Sequence, residues 1–253
     1  MEKHSWPATL WLVRHGESAG NVARLAAEQS GALTILIEGR DVDVPLSPAG
    51  QAQARTLGKW FRAQPDHERP TVLLSSPYAR ARQTAAQILA ASGLADAVGL
   101  SVDERLREKE FGSLNRLTRA GVAASFPEEA RRRAELGKFY YRPPGGESWC
   151  DVILRSRSIL DDLRLRWSGE RVLIVAHQVV VLCFRYLLEG MDEATLLDID
   201  LRADVANCGI TRFDAPVDQA AGGSMQLRIY NSVEHLTDAG QQVTAVPDPA
   251  AIK

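Results

Sequence analysis

The stretch Arg171-Val172-Leu173-Ile174-Val175-Ala176 is apolar after its first residue, without alternation, and breaks off directly into His177. A strand that is apolar on both sides must be covered on both sides, which is the habit of parallel sheets. Thr9 to Val13 and Thr71 to Leu74 repeat the pattern, the first ending in Arg14-His15-Gly16. Val98 to Val102, Asn207 to Phe213 and Met225 to Tyr230 read as shorter strands, the last two around a Gly-Gly loop. Helical segments alternate with them. Ala19 to Gln29 has apolar residues at helical spacing, and Ser47-Pro48 opens a helix to about Ala63 that buries Ala54, Leu57, Trp60 and Phe61. Ser75-Ser76-Pro77 opens another that ends near Gly93, and Trp149 to Trp167 and Val179 to Glu189 complete the set. Leu33 to Ile37 fits either a short strand or an anchored loop. The alternation predicts a three-layer α/β/α fold around a mostly parallel sheet.

Residues 113–147 interrupt that alternation with arginine- and glutamate-rich helical sequence and a Pro-Pro-Gly-Gly turn, and are expected to form a small helical cap. At 253 residues the chain accommodates one such domain, 1–236, with the cap inserted and a flexible tail over 237–253. A net charge of -2 and a pI near 6.2 argue against general nucleic-acid binding. Cys150, Cys183 and Cys208 form no Cys-x-x-Cys pair, so neither a metal site nor a disulfide framework is expected, and a cytoplasmic setting is the simplest. Arg14 cuts the first apolar run too early for a signal peptide, and no apolar run is long enough to span a membrane.

Ligands of doubly wound sheets bind outside the carboxyl ends of the strands. The strands here deliver Arg14 and His15, then Arg80 after the second, and His177 after the strongest. A lone cation at such a place is more often a solvated ion pair, but two arginines and two histidines together form a pocket suited to a phosphate dianion.

Leu12-Val13-Arg14-His15-Gly16-Glu17-Ser18 with Asn21 resembles the signature of the histidine phosphatase superfamily, also called phosphoglycerate mutase-like. Four further stretches resemble its motifs in order: Asp43 to Gly50, Ser75 to Ala85, Leu106 to Gly112, and Val175-Ala176-His177. The resemblance implies that His15 is the nucleophile, that Arg14, Arg80, His177 and Asn21 bind the phosphoryl oxygens, and that Glu108 is the general acid, with Glu110 its rival. Glu17 and Ser18 are expected among the substrate-binding residues, Glu17 by orienting the loop. A histidine attacks only when neutral; its ordinary pKa near ~6.5 and neighbouring guanidinium groups favour that form. The same arginines stabilise the charge of the transferring group, so no metal or other cofactor is expected.

Lys138 to Ser148 and Ala176-His177-Gln178 resemble the fructose-2,6-bisphosphatase branch, which implies that Lys138, Tyr140 and Gln178 line the substrate side. Ala134 and Leu182 stand where that branch carries arginines. The expected activity is a phosphomonoester hydrolase of small metabolites, sugar phosphates among them. A phosphoglycerate mutase-type isomerase and a non-catalytic phosphate-binding module are the alternatives. Neither a nucleic acid nor a membrane is an expected partner, and the oligomeric state is not legible.

Overall fold

The structure, a computed structural model, describes residues 5–216 and 223–247. Six strands form one sheet in the order β3-β2-β4-β1-β5-β6. They are β1 (Thr9–Arg14), β2 (Val72–Ser75), β3 (Leu100–Val102), β4 (Arg171–Ala176), β5 (Ile210–Asp214) and β6 (Gln226–Ser232). The first four run parallel, while β5 pairs antiparallel with β1 and β6 antiparallel with β5. The sheet is therefore mostly parallel, as the unalternating strands predict.

The unbroken apolar runs feed two cores. Leu10, Leu12, Val172, Ile174 and Ala176 face one side, where they meet α6 (Trp149–Arg166) and α7 (Gln178–Glu189). Trp11, Val13, Leu173 and Val175 face the other, against α2 (Pro48–Ala63) and α3 (Ala79–Ser92). Trp60 is only half-buried, while Phe61 beside it is fully enclosed and meets Trp11 edge-on at 5.6 Å. Ser18 caps α1 (Ala19–Ser30) in a reciprocal box with Asn21, Ser47 caps α2, and Ser148 caps α6 in a second box with Asp151.

Several boundaries differ from expectation. Leu33 to Ile37 is a loop tied by a single bridge between Thr34 and Leu117, with Ile35 buried beneath it. The third strand begins only at Leu100 and lies exposed at the edge of the sheet. Strand β5 begins at Ile210, because Cys208 takes a left-handed φ of 56° and turns the chain there. The helix α8 (Glu193–Arg202), capped by Asp192, was not apparent from the apolar spacing. The segment expected to form the cap holds α4 (Arg119–Ser125) and α5 (Pro127–Tyr140) around a satellite core of Leu114, Val122 and Tyr141.

The expectation of a flexible segment from residue 237 onward is corrected over residues 237–247. After α9 (Glu234–Thr237), Gln53 Nε2 donates to Gln242 O and Thr244 Oγ1, both at 3.0 Å, and Asn207 N donates to Thr244 O at 2.8 Å. A polar Thr, Gln and Val stretch carries no apolar periodicity, so only its backbone partners reveal it. Residues 248–253 and part of the Gly-Gly loop, 217–222, lie outside the described residues.

His235, beside Trp60, supplies an acid-side weakness. Burial pushes its imidazole down to about 4. The unfolded chain protonates near ~6.5, so between these values it binds more protons than the native state and stability falls with pH. Between pH 7.5 and 5 this loss is expected to be about 2 kcal/mol. Urea melts of a His235→Gln variant at the two pH values should show a correspondingly smaller difference than wild type; an equal difference would refute the assignment.

Candidate active site

Because β1, β2 and β4 run parallel, their carboxyl ends open at one edge, where the ladder continues one residue past the strands. His15 N donates to Ala176 O at 3.0 Å, and Ser76 N donates to Val175 O at 3.0 Å. His15 and His177 thus emerge side by side, their ring centroids 5.1 Å apart. Tyr78 lies edge-on to His177 at 5.1 Å, and the Arg80 guanidinium stands 4.8 Å over the Tyr78 ring. Arg14, His15, Arg80 and His177 are all fully buried.

His15 Nδ1 is 2.7 Å from Gly16 O. A carbonyl only accepts, so Nδ1 carries the proton and Nε2 keeps the lone pair. His177 Nε2 is held at 2.8 Å by Ser76 Oγ. Arg14 donates from Nη1 to Val205 O at 2.7 Å and from Nη2 to Val246 O at 2.6 Å. Arg80 donates to Asp41 O at 2.8 Å and lies within 3.2 and 3.3 Å of the two Asp41 carboxylate oxygens. Backbone carbonyls and one carboxylate therefore hold both guanidinium planes at fixed angles.

At Gly16 backbone closely approaches backbone. A Cβ there would stand 2.5 Å from Gly50 O, and one on Gly50 would stand 1.9 Å from Glu17 O. Glu17 also accepts from Ser47 Oγ at 2.6 Å, and its N–H donates to Gln53 Oε1. It ties the loop to the start of α2. Ser18 and Asn21 cap α1, and Asn21 Nδ2 donates to Val246 O at 2.9 Å and Pro247 O at 3.1 Å.

Glu108 is buried, with Oε1 accepting from Lys109 N at 2.8 Å. Arg155 Nη2 reaches its carbonyl at 3.3 Å while also bridging to Glu147. Glu110 is half-buried and accepts from Tyr78 OH at 2.7 Å.

Lys138 and Gln178 both line a small cavity, partly open to solvent, with Lys109, Phe111, Arg133, Tyr141, Trp149 and Asp200 among its walls. Lys138 is ion-paired with Asp200, and Gln178 Nε2 donates to Asp204 at 2.8 Å. Tyr140, expected in this lining, is 57% exposed on the outside, and Tyr141 occupies the wall instead. Gly137 is the cause: its left-handed φ of 77° breaks α5 before the last turn and changes which residue faces inward.

The sequence reading did not find Asp41, Ser76, Tyr78, Thr84, Asn207 or Lys109. Thr84 Oγ1 accepts from Gly16 N at 3.0 Å and donates to Arg80 O at 2.7 Å, and Asn207 Nδ2 donates to His15 O at 3.0 Å. Ser76, Tyr78 and Thr84 lie within the Ser75 to Ala85 stretch, so position in that motif was an available signal. Asp41 and Asn207 come from loops with no pattern of their own.

Residues 10–221 match the family model described as the histidine phosphatase superfamily (branch 1). The protein named probable phosphoglycerate mutase GpmB of Yersinia enterocolitica is 32% identical over 209 residues, covering 81% of this chain and 84% of that protein. YhfR of Bacillus stearothermophilus superposes with a TM-score of 0.70 at 26% identity, covering 90% of this chain and 98% of that one. A mycobacterial glucosyl-3-phosphoglycerate phosphatase solved with VO3 shares the fold at a TM-score of 0.66 and 24% identity, over 89% of this chain and all (100%) of that one. Among the described residues, no helix is long and apolar enough to cross a membrane.

Proposed function

The chain belongs to the histidine phosphatase superfamily, and from that premise we propose that it is a phosphomonoester hydrolase working through a phosphohistidine on small phosphorylated metabolites, sugar phosphates first among the candidates. The observation that carries this reading is the His15 tautomer: Nδ1 is committed to Gly16 O, which leaves Nε2 as a nucleophile beside His177 at the mouth of the sheet. In the first step Nε2 forms the bond to phosphorus, the bond to the leaving oxygen breaks, and Glu108 gives that oxygen its proton. In the second, the Glu108 carboxylate takes a proton from water, whose oxygen attacks phosphorus and releases phosphate and neutral His15. Arg14, Arg80 and His177 offset the charge spread over the transferring oxygens throughout. Their orientations are preset by Val205, Val246, Asp41 and Ser76, so little reorganisation accompanies the step.

A second reading is favoured by one finding, the phosphoglycerate mutase name carried by the Yersinia relative. A mutase would return the phosphoryl group to substrate. The cap supports the hydrolase, since of the Arg131-Arg132-Arg133 run only Arg133 lines the cavity, and Arg131 is spent on Glu128 and Glu135 at the surface. Incubation with sugar phosphates, phosphoglycerates and nucleotides, scored for released phosphate, tests the proposal. Isomerised phosphoglycerate without free phosphate would establish the mutase instead.

A further inference from the structure

Glu108 is carried by neither a long helix nor a strand: it lies in the irregular stretch between the single turns Glu104–Leu106 and Gly112–Leu114. A proton donor must be held close to its working position, and backbone outside a helix or ladder has no regular bonds to hold it. Side chains from outside the stretch do so here. Arg155 Nη1 donates to Arg105 O, and Arg155 Nη2 donates to Glu108 O at 3.3 Å. Glu147 Oε2 accepts from Glu110 N at 3.1 Å, and Glu147 N donates to Glu110 O at 2.9 Å. The two side chains are bound to each other as well, Nε to Oε1 at 3.0 Å and Nη2 to Oε2 at 3.1 Å, with only 9% and 12% of their side chains exposed. The guanidinium thus serves carbonyls and the carboxylate serves an N–H, so one ion pair answers both kinds of backbone group. Arg105 in turn reaches Ser158 Oγ at 2.8 Å and Asp162 at 2.6 Å, further along the same face of α6.

One peptide group connects this clamp to the carboxyl itself. The carbonyl that Arg155 Nη2 grips belongs to the Glu108–Lys109 peptide, and the N–H of that same peptide donates to Glu108 Oε1 at 2.8 Å. A peptide is planar, so fixing its carbonyl fixes its N–H, and with it the carboxyl that the N–H holds. The turn before Glu147 is shaped to the same end. A Cβ on Gly146 would stand 2.6 Å from Glu110 O, and one on Gly112 would stand 2.0 Å from Pro144 O. Glycine at both positions lets Pro143-Pro144-Gly145-Gly146 lie directly on the stretch, where Ser113 N donates to Pro144 O at 2.9 Å.

We propose that Arg155 is a positioning residue for the proton transfer: through Glu147 and the Glu108–Lys109 peptide it holds Glu108 with Oε1 as acceptor and Oε2 as the oxygen that carries the transferred proton. The proposal rests on the phosphomonoesterase reading, in which Glu108 protonates the leaving oxygen. A buried ion pair adds little net stability over an apolar pair of the same volume, so its main effect is expected in the chemistry.

A leaving-group series tests it. kcat/KM for p-nitrophenyl, phenyl and ethyl phosphate would be measured on the wild type, Arg155→Met, Arg155→Lys, Glu108→Gln and the Glu108→Gln/Arg155→Met double variant. This ratio reports the phosphorylation step, which needs the acid to expel ethanol and not to expel p-nitrophenolate. Arg155→Met is expected to lose about 10- to 50-fold on ethyl phosphate and less than about threefold on p-nitrophenyl phosphate, with inhibition by inorganic phosphate unchanged. Arg155→Lys keeps the charge opposite Glu147 without the fork, should show the same trend at reduced size, and carries the test if Arg155→Met does not fold. On the Glu108→Gln background the Arg155 substitution should add no further leaving-group effect. Equal losses across the series, no loss in either Arg155 variant, or a full Arg155 effect without Glu108 overturns the role while leaving the hydrolase reading intact. A wild type that releases phosphate from none of the three esters overturns both, so the two failures are distinct.

Discussion

A His15→Ala variant is expected to lose phosphate release from every phosphomonoester by about 10⁴-fold or more, because the group proposed to carry the phosphoryl group is removed. The folded state should survive, since the imidazole bonds to the carbonyl of its own neighbour, Gly16 O, and not to a distant part of the sheet. Rapid quench in alkali, where phosphohistidine persists, should trap a labelled wild-type enzyme and leave the variant unlabelled. Turnover within tenfold of wild type, or label that remains in His15→Ala, would remove His15 as the nucleophile. Loss of turnover with intact binding of inorganic phosphate would also exclude the third possibility, a module that only binds, because such a module has no turnover to lose.

The second large effect is at Glu108. A Glu108→Gln variant keeps shape and burial but has no proton to give, and is expected to slow hydrolysis of alkyl phosphomonoesters about 10²- to 10³-fold. Its phosphorylation by p-nitrophenyl phosphate should suffer less, since p-nitrophenolate departs without protonation. Dephosphorylation still needs a base, so phosphoenzyme should accumulate with that substrate and give a burst of nitrophenolate. Glu110 provides the contrast: its carboxylate is committed to Tyr78 OH, so Glu110→Gln is expected to show no dependence on the leaving group. A leaving-group effect that follows Glu110 would reverse the assignment.

What could be read from the sequence divides along physical lines. The parallel sheet was legible because strands buried on both faces must be apolar along their centres, as Leu10 to Val13 of β1 and Val172 to Ala176 of β4 are. His15 and His177 were legible because each directly ends such a strand. The helix start at Ser47 was legible because an N-cap is a local chemical requirement, whereas the Ser75-Ser76-Pro77 stretch leads into α3 only at Ala79, with no side-chain cap. Tyr140 was misplaced because one left-handed glycine, Gly137, sets the facing of the residues after it, and spacing counts assume an unbroken helix. Asp41 was missed because an ion pair between a loop and a helix 39 residues later leaves no periodic trace. Lys109 was missed because it sits in a segment dense with charges, where only burial distinguishes one from the next.

The backbone at Val246 and Pro247 closes on Arg14 and Asn21, more than 220 residues earlier in the chain. The six strands of the described residues all end by Ser232, so a message with a stop codon between positions 238 and 246 would still encode them. Its product would lack one of the two carbonyls that aim Arg14, Val246 O. Such a truncated protein should pass cellular quality control as a folded body yet turn over substrate poorly. For this gene, then, a nonsense mutation just upstream of codon 247 would be read by the cell as a catalytic lesion and not as a folding one.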